Sequence, residues 1–225
     1  MKAVVYYSNS NQSYKIAKYL SEKSTFQLLE LRYSDNYIFN DLILVFPVYC
    51  QNIPLEVQEF IKKIKVDNIS LIVTYGRKSF GNVVFEASNL NSLNIISYAY
   101  VPTKHTYIDN DVCFEDYEKL DVIVEKFENP NKIKIKKYFK NPFANVLMLK
   151  RSQSNCKIIK TSLCNSCNLC NNSCSNINVG EVNKSCIRCL KCVGNCPSKA
   201  LIVKKSFILK LYLKVINKNK LIVKV

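Results

Sequence analysis

The sequence predicts an α/β protein with a doubly wound sheet of five parallel strands, followed by a small cysteine-rich domain. Two observations carry this prediction. Over residues 1–130, short apolar segments rich in Val, Ile, Leu and Tyr alternate with amphipathic helical segments, which is typical of a parallel sheet covered on both faces by helices. Eight of the eleven cysteines then fall between residues 164 and 196. A chain of 225 residues has room for one domain of ordinary size and a small second one.

The elements of the first domain follow from hydrophobic periodicity. We predict five buried strands, at Ala3–Tyr7, Phe26–Leu31, Leu42–Phe46, Leu71–Tyr75 and Ile95–Tyr100. We predict helices at Tyr14–Ser21, Leu55–Ile64 and Val83–Leu90, and a closing helix with an apolar stripe of Phe114, Tyr117, Leu120, Val124 and Phe127. Five such strands suit the order 2-1-3-4-5, in which ligands bind beyond the carboxyl ends of the strands, near the switch in strand order.

The loop after the first strand is a candidate phosphate site. It consists of Ser8, Asn9, Ser10, Asn11, Gln12 and Ser13 and leads directly into the first helix. Hydroxyl groups and backbone N–H groups at a helix N-terminus favour phosphate binding. A plain turn with a serine N-cap would have the same sequence, so the loop alone leaves both interpretations open.

The eight clustered cysteines form two matched runs. The runs are Cys164-x2-Cys167-x2-Cys170-x3-Cys174 and Cys186-x2-Cys189-x2-Cys192-x3-Cys196-Pro197. This spacing is typical of paired [4Fe–4S] clusters, in which the fourth cysteine of each run binds the cluster of the other run. Three thiolates in a tight loop can hold three corners of a cubane, and the fourth corner needs a ligand from another direction. We therefore expect a first ligand set of Cys164, Cys167, Cys170 and Cys196, and a second ligand set of Cys186, Cys189, Cys192 and Cys174.

Two other uses of these cysteines were weighed. The eighteen residues between Cys167 and Cys186 suit a four-cysteine zinc site, but zinc would leave four of the eight cysteines without a role. A disulfide framework would require a secreted chain. The remaining cysteines, Cys50, Cys113 and Cys156, match no ligand pattern, and we expect them to be small apolar or surface thiols.

The net charge of +16 is distributed unevenly. Residues 1–130 hold 13 Lys and Arg against 16 Asp and Glu, whereas residues 131–225 hold 20 against one, Glu181. Such a positive field favours an acidic protein partner or an anionic membrane surface. No nucleic acid is expected, because the lysines are not grouped around an aromatic-studded recognition element. A genome of low GC content would also enrich lysine without any function.

The charge and the motifs divide the chain into four parts. We predict a first domain over 1–130, a basic linker over 131–155, the cysteine-rich domain over 156–204 and a basic apolar tail over 205–225. In the tail, Lys210, Lys214 and Lys218 are spaced as on one face of an interfacial helix, while alternating apolar residues favour a hairpin turned at Asn217–Lys220. We expect the tail to pack on the protein's own surface, and a membrane surface is not favoured.

The sequence also bears on location. Nothing at the N-terminus resembles a signal peptide, and no apolar run approaches the ~18 residues of a membrane span. Because the chain is rich in thiols, we expect it to work in a reducing cytoplasm.

Segment Cys164–Ala200 resembles the two-cluster bacterial ferredoxins, including their Cys-Pro-x-x-Ala ending at Cys196–Ala200. It departs from them at Ser175, where the family usually has proline. Three loops of the first domain resemble the FMN-binding loops of flavodoxins, namely Ser8–Ser13, Phe46–Pro54 and Thr74–Gly81. The chain as a whole therefore resembles a flavodoxin–ferredoxin fusion protein of anaerobic bacteria, over roughly residues 1–200.

That resemblance implies a flavodoxin-like fold with FMN as a cofactor. The implied FMN contacts are Ser8, Asn9, Ser10, Asn11, Gln12, Ser13, Pro47, Tyr49, Tyr75, Gly76 and Gly81. Asn9 and Asn11 stand where flavodoxins usually have glycine, and asparagine tolerates the left-handed backbone better than most residues. Tyr49 is a candidate to stack on the flavin, or it is simply a packing residue.

Few other residues suggest chemistry. Arg77 and Lys78 could pair with the reduced flavin or with phosphate, or be solvated loop charges. His105 could shuttle a proton at the flavin edge, although an ordinary loop histidine is the expectation. With one histidine in the chain and no local support for a triad, we predict no catalytic residue, and any flavin would carry the chemistry itself.

Three functions are compatible with the sequence. The first is an electron carrier with two [4Fe–4S] clusters and FMN, which passes low-potential electrons between redox proteins with acidic surfaces. The second is a flavin-free ferredoxin module that uses the flavodoxin-like domain to dock on a redox enzyme, and the glycine-free first loop favours it. The third is a flavin-dependent oxidoreductase fed by the clusters, which we expect less than a carrier.

Overall fold

A computed structural model describes residues 1–31, 37–108, 114–144, 153–215 and 220–225. The chain divides into two compact units. The first unit comprises Met1–Pro142 and Lys218–Val225, and the second unit comprises Phe143–Asn217. The second unit is therefore an insertion in the sequence of the first.

The first unit is built on one mixed sheet. Its strands are β1 (Lys2–Tyr6), β2 (Gln27–Glu30), β3 (Ile38–Pro47), β4 (Lys65–Tyr75), β5 (Ile95–Pro102) and β10 (Ile222–Lys224). Strands β1 to β5 pair in parallel in the order 2-1-3-4-5. The predicted α/β class, with its mainly parallel sheet in this order, is confirmed.

The sheet has six strands, not the five that we predicted. β10 pairs antiparallel with β5, with Val223 opposite Ala99. This strand comes from the predicted tail, and it covers an edge that β5 would otherwise expose to other chains. The three residues of β10 are too few to show a strand period in the sequence.

Helices cover both faces of the sheet. They are α1 (Gln12–Ser24), α2 (Leu55–Lys63), α3 (Val83–Ser88), a 3₁₀ turn at Tyr117–Leu120 and α4 (Asp121–Glu125). Apolar residues of α2 and α3 pack on one face, among them Phe60 and Val84, while Ile16 of α1 and Ile123 of α4 pack on the other. The predicted closing helix is thus present in a shorter form, since the turn and α4 replace one continuous helix.

Part of the predicted linker belongs to the first unit. Ile133 donates its N–H to the Ile95 carbonyl at 3.0 Å, and Tyr138 donates its N–H to Asn82 Oδ1 at 3.0 Å. Lys140 lies 2.6 Å from Glu86 Oε1 in a largely buried ion pair. The first unit therefore runs to Pro142 rather than to residue 130, and residues 145–152 of the predicted linker lie outside the described residues.

The second unit contains short elements. They are β6 (Cys156–Lys160), α5 (Leu169–Ser173), β7 (Ile177–Asn178), β8 (Glu181–Val182), α6 (Lys191–Gly194), β9 (Leu201–Lys205) and α7 (Phe207–Val215). β6 pairs antiparallel with β9, and β7 with β8. The predicted tail thus forms helix α7 and strand β10, while the predicted turn at 217–220 lies, apart from Lys220, outside the described residues.

No helix in the described parts of the chain is long and apolar enough to cross a membrane.

Candidate metal centres and cofactor loops

The two cysteine runs share one backbone conformation. In the first run, Ser166 and Asn168 have φ angles of 55° and 60°, and in the second run Arg188 and Leu190 have φ angles of 60° and 63°. Each left-handed pair is followed at once by a short helix, α5 or α6. Non-glycine residues rarely adopt this conformation, so its repetition at equivalent positions means that the two runs are folded as copies of one loop.

The first ligand set lies around one pocket. Cys164, Cys167 and Cys170 of the first run and Cys196 of the second run all line one pocket. Gly180 and Leu201 are among the other residues of its wall. The structure therefore brings together three cysteines of one run and the last cysteine of the other, and their binding of one cluster stays a prediction.

The cysteines of the second ligand set are close enough to influence one another's ionisation. Burial raises the pKa of Cys189, and the neighbouring Cys174 and Cys186 raise it further. Burial also raises the pKa of Cys192 to about 12, with added repulsion from Cys189, Cys186 and Cys174. Cys189 and Cys192 therefore resist ionisation unless a cation replaces their protons, as a metal does when it binds thiolates.

The sulfurs differ in their hydrogen bonds. Cys174 Sγ accepts the Asn176 N–H at 3.4 Å, and Cys186 Sγ accepts the Arg188 N–H at 3.4 Å. Cys196 Sγ lies 3.5 Å from the Ser198 hydroxyl. That hydrogen bond, followed by backbone N–H groups of residues 198, 200 and 201, lowers the pKa of Cys196. These contacts favour a negative charge on the Cys196 sulfur.

The donors in the two runs are all thiols, which is the donor type that iron–sulfur clusters use. Within the described residues, no three or more His, Cys, Asp or Glu side chains are placed to hold a single metal ion. A single zinc ion needs its sulfurs about 2.3 Å from one point, whereas the thiolates of a cluster bind separate iron corners and stand further apart.

The other cysteines stand apart from these sets. Cys50 is exposed at a loop and Cys156 is buried at the start of β6. Cys113 lies outside the described residues. Neither described cysteine lines the pocket of the first ligand set.

The loop between β1 and α1 has an unusual backbone. Asn11 has φ 65° and is the N-cap of α1, so asparagine does adopt the left-handed conformation at one of the two positions where glycine was expected. Asn9 does not. The Ser8 hydroxyl is buried without a hydrogen-bond partner among the described residues. A buried hydroxyl of this kind needs a partner, and a ligand on this loop would supply one.

Other polar side chains of the same loop are bonded within the protein. Asn9 Nδ2 donates to the Tyr49 hydroxyl at 2.8 Å and to the Tyr7 hydroxyl at 3.2 Å. Ser13 Oγ lies 2.8 Å from Thr74 Oγ1 and is buried. The β1 and β3 loops therefore meet, as a cofactor site at the switch point requires, but Ser13 faces the sheet. Ser10 and Gln12 are half-buried.

The loops after β3, β4 and β5 pack closely. Pro47 ends β3, and Tyr49 and Asn52 then close a turn whose central residues, Cys50 and Gln51, both have positive φ. Gly81 has φ 63°, and a Cβ there would lie 2.8 Å from the Gln51 carbonyl oxygen. A Cβ at Gly76 would lie 2.7 Å from His105 Cδ2. These two glycines thus allow protein loops to approach each other.

Tyr75 is turned inward. Its hydroxyl donates to the Lys220 carbonyl at 2.7 Å and accepts the Lys220 N–H at 3.2 Å, and burial raises its pKa. Its ring packs against Phe80 at 5.1 Å. Lys78 is also buried, at 4% exposure, so it is not the solvated charge that we had considered. The Tyr75 side chain secures the segment before β10.

Sequence reasoning missed several residues at these sites. Thr74 and Tyr7 bond the loop residues directly, and the Tyr7 hydroxyl also donates to Glu56 Oε1 at 2.9 Å. Ser198 contacts Cys196, and its position two residues after a ligand cysteine was the one available signal. Glu56, which accepts from Tyr7, and Ser13, which contacts Thr74, lie 49 and 61 residues away in the sequence, so no local pattern predicts these two contacts.

Comparisons with known proteins assign no family. No protein-family model matches the chain, and no curated protein matches it. Among solved structures, the chain is similar to the rubredoxin oxygen:oxidoreductase of the anaerobe Desulfovibrio gigas, with 15% sequence identity and a TM-score of 0.42. That match covers 55% of this chain and 34% of the other chain, so this chain spans about a third of that protein. Similarity at this level does not assign a function.

Proposed function

We propose that the protein is an electron-transfer protein that binds two [4Fe–4S] clusters in the second unit and FMN in the first unit. The observation that carries this proposal is the crosswise grouping of the cysteines. Cys196 of the second run joins three cysteines of the first run around one pocket, and Cys174 of the first run lies within electrostatic range of the second run.

The second unit supplies what two such clusters need. Bound clusters would exchange single electrons, with potentials set by cluster charge, hydrogen bonds to sulfur and exposure. Ile177 and Leu201 are buried beside Cys192, so apolar side chains limit the access of water to the sulfurs. The backbone N–H groups of Asn176 and Arg188 bond the sulfurs of Cys174 and Cys186 directly. The residues of the chain thus hold, shield and tune the clusters.

The basic charge suggests the partners. Residues 131–225 hold 20 Lys and Arg against a single acidic residue, so electrostatic steering would favour redox proteins with acidic surfaces. No nucleic acid is part of this proposal. Since no catalytic constellation was recognised, a carrier remains the proposal ahead of a flavin-dependent oxidoreductase. A reducing cytoplasm is the proposed location, because the eight thiols must stay reduced to bind iron.

FMN fits the first unit in part. The unpartnered Ser8 hydroxyl and the left-handed Asn11 suit a phosphate loop. In contrast, Asn9 and Ser13 use their polar atoms within the protein. That second observation favours an alternative, in which the first unit binds no flavin and serves to dock the cluster unit on a redox enzyme.

The first experiment is chemical analysis of protein that has been purified without oxygen. We expect about eight iron and eight sulfide per chain, together with one FMN. Iron and sulfide without flavin would leave the electron-transfer proposal standing and select the docking alternative. Stoichiometric zinc without iron would overturn the proposal.

The crosswise ligand sets can be tested separately by electron paramagnetic resonance of the reduced protein. Cys196→Ser should alter the cluster of the first ligand set, and Cys174→Ser should alter the cluster of the second ligand set. Cys50→Ser is the matched control, because Cys50 is an exposed cysteine outside both sets. If Cys196→Ser and Cys174→Ser each alter the cluster of their own run instead, the crosswise assignment is wrong.

A further inference from the structure

Helix α7 exposes a strip of apolar side chains. With about 100° between successive residues, its side chains fall into three sectors. One sector faces the protein and contains Leu209 and the 9%-exposed Leu213. A second sector holds the lysines Lys210 and Lys214, which are exposed. The third sector is apolar and open to solvent; its members are Phe207 (80% exposed), Ile208 (73%), Leu211 (53%) and Tyr212 (40%).

The helix is fixed at its beginning. Ser206 Oγ accepts the Leu209 N–H at 3.1 Å, which is an N-cap hydrogen bond. The same hydroxyl donates to Asn155 Oδ1 at 2.7 Å, and the Ser206 N–H donates to the Asn155 carbonyl at 2.9 Å. The apolar strip therefore belongs to an anchored helix rather than to a frayed end, and a contiguous exposed strip of this kind marks an interaction site.

The surface leading into α7 is basic. On the ribbon of β6 and β9, Lys157 lies directly opposite Lys204, and both are exposed. Like charges at directly opposite positions destabilise a strand pair. Neither of these lysines, nor Lys210 or Lys214, forms an ion pair with any residue that the structure describes. An external anion would relieve this repulsion.

Charge and apolarity together select the occupant of this surface. A second copy of the chain would bring the same positive charge, and repulsion would oppose its binding. An anionic bilayer offers acyl chains to the apolar strip and phosphate groups to the lysines beside it. Lysines on one face with Phe and Leu on another are typical of helices that lie in the membrane interface.

We propose that α7 is an interfacial helix that binds the protein reversibly to an anionic membrane surface. The strip would enter the boundary between headgroups and acyl chains, with Lys210 and Lys214 at headgroup level. No spanning segment is required. The proposal does not rest on the proposed electron-transfer function, since it uses no cluster or flavin residue.

Co-sedimentation with vesicles tests this proposal on the full-length holoprotein. We expect binding to vesicles of phosphatidylglycerol and phosphatidylcholine, little binding to pure phosphatidylcholine, and loss of binding as salt is raised. The double variant Ile208→Ser/Leu211→Ser should weaken binding by about tenfold or more. Lys210→Gln and Lys214→Gln should each weaken it by about fivefold.

Controls separate a membrane site from a folding defect. Leu163→Ser removes another exposed apolar side chain of the second unit, 64% exposed, and should bind vesicles like the wild type. The iron content of each variant shows whether the second unit is intact. It thereby distinguishes a failure of cluster assembly from a loss of vesicle binding. Equal binding to neutral and anionic vesicles, no vesicle binding at all, or equal binding by the α7 variants would overturn the proposal. A dimer that the double variant abolishes, without vesicle binding, would identify the strip as a contact between copies instead.

Discussion

The two units reach their folded states by different means. The first unit buries long apolar strands, with residues such as Leu44 and Val73 at 0% exposure inside a sheet covered on both faces. Within the described residues, the hydrophobic cluster of the second unit is built on Ile177, Cys192 and Leu201, with cysteines packed around it. A core of that size supplies little stability by itself. From this difference we expect the cysteines of the second unit to serve its folding as well as its proposed chemistry.

We therefore expect the largest effect on stability from removal of the metal. Chelation of the holoprotein should unfold the second unit and leave the first unit folded, because binding energy at the cysteines replaces the missing core. Hydrogen exchange followed by mass spectrometry should show that the amides of β6 and β9 exchange about a hundredfold faster or more, while those of β3 and β4 keep their protection. Unchanged protection of β6 and β9 in the metal-free protein would contradict this account.

Removal of a buried side chain from the sheet should destabilise the first unit alone. Leu44→Ala removes a fully buried side chain from β3, and we expect it to lower the free energy of unfolding of the first unit by about 2–5 kcal/mol. Chemical denaturation monitored on the first unit measures this loss, and iron content should stay the same. Ile38→Ala, in the same strand but 65% exposed, is the control and should cost less than about 0.5 kcal/mol. A parallel loss of iron in Leu44→Ala would mean that the two units do not fold independently.

Alanine substitutions at two glycines, one in each unit, compare the two units at a finer scale. Gly81→Ala places a Cβ at φ 63° and 2.8 Å from the Gln51 carbonyl oxygen, so we expect a cost of about 1–2 kcal/mol or more. Gly194→Ala meets nothing within 4 Å and lies in helix α6, where alanine should be neutral or stabilise by up to about 1 kcal/mol. Thermal unfolding of both variants measures the difference. Equal effects would show that the close approach of the β3 and β4 loops is not a constraint on the fold.

The smallest expected effect is on the potential of one cluster. Ser198→Ala removes the hydroxyl that lies 3.5 Å from Cys196 Sγ, and it should make the potential of the cluster of the first ligand set more negative, because hydrogen bonds to sulfur favour the reduced cluster. Spectroscopic redox titration measures both clusters. Ser175→Ala is the matched control, since Ser175 is an exposed serine one residue after Cys174. A change in the potentials of both clusters, or of neither, would contradict a specific role of Ser198.

The sequence predicted the features that depend on local pattern. Hydrophobic periodicity located the five parallel strands. The tolerance of asparagine for a positive φ predicted that Asn11 could adopt the left-handed conformation that it has. The cysteine spacing anticipated which thiols would meet around the pocket. In each case the information lies within a few residues of the feature, or in the repetition of one short motif.

The features that depend on distant partners were not predicted. β10 owes its position to β5, more than 100 residues away, and its three residues have no diagnostic pattern. We predicted residues 131–142 to be part of a linker because they are basic. Lys140 nevertheless donates hydrogen bonds to Glu86 and Asn52 in the first unit. Ser13 carries a hydroxyl suited to phosphate, but its Thr74 partner could be recognised only once β4 was placed beside the loop. Composition cannot reveal such pairs.

The return of the chain to the sheet has a consequence for biosynthesis. β10 and Lys220, whose backbone secures the Tyr75 hydroxyl, follow all eight ligand cysteines in the sequence. During translation, which proceeds from the N-terminus, the ribosome therefore releases both cysteine runs before β10 can close the β5 edge. Closure of the β5 edge by β10 therefore marks a chain in which both cysteine runs have already been synthesised.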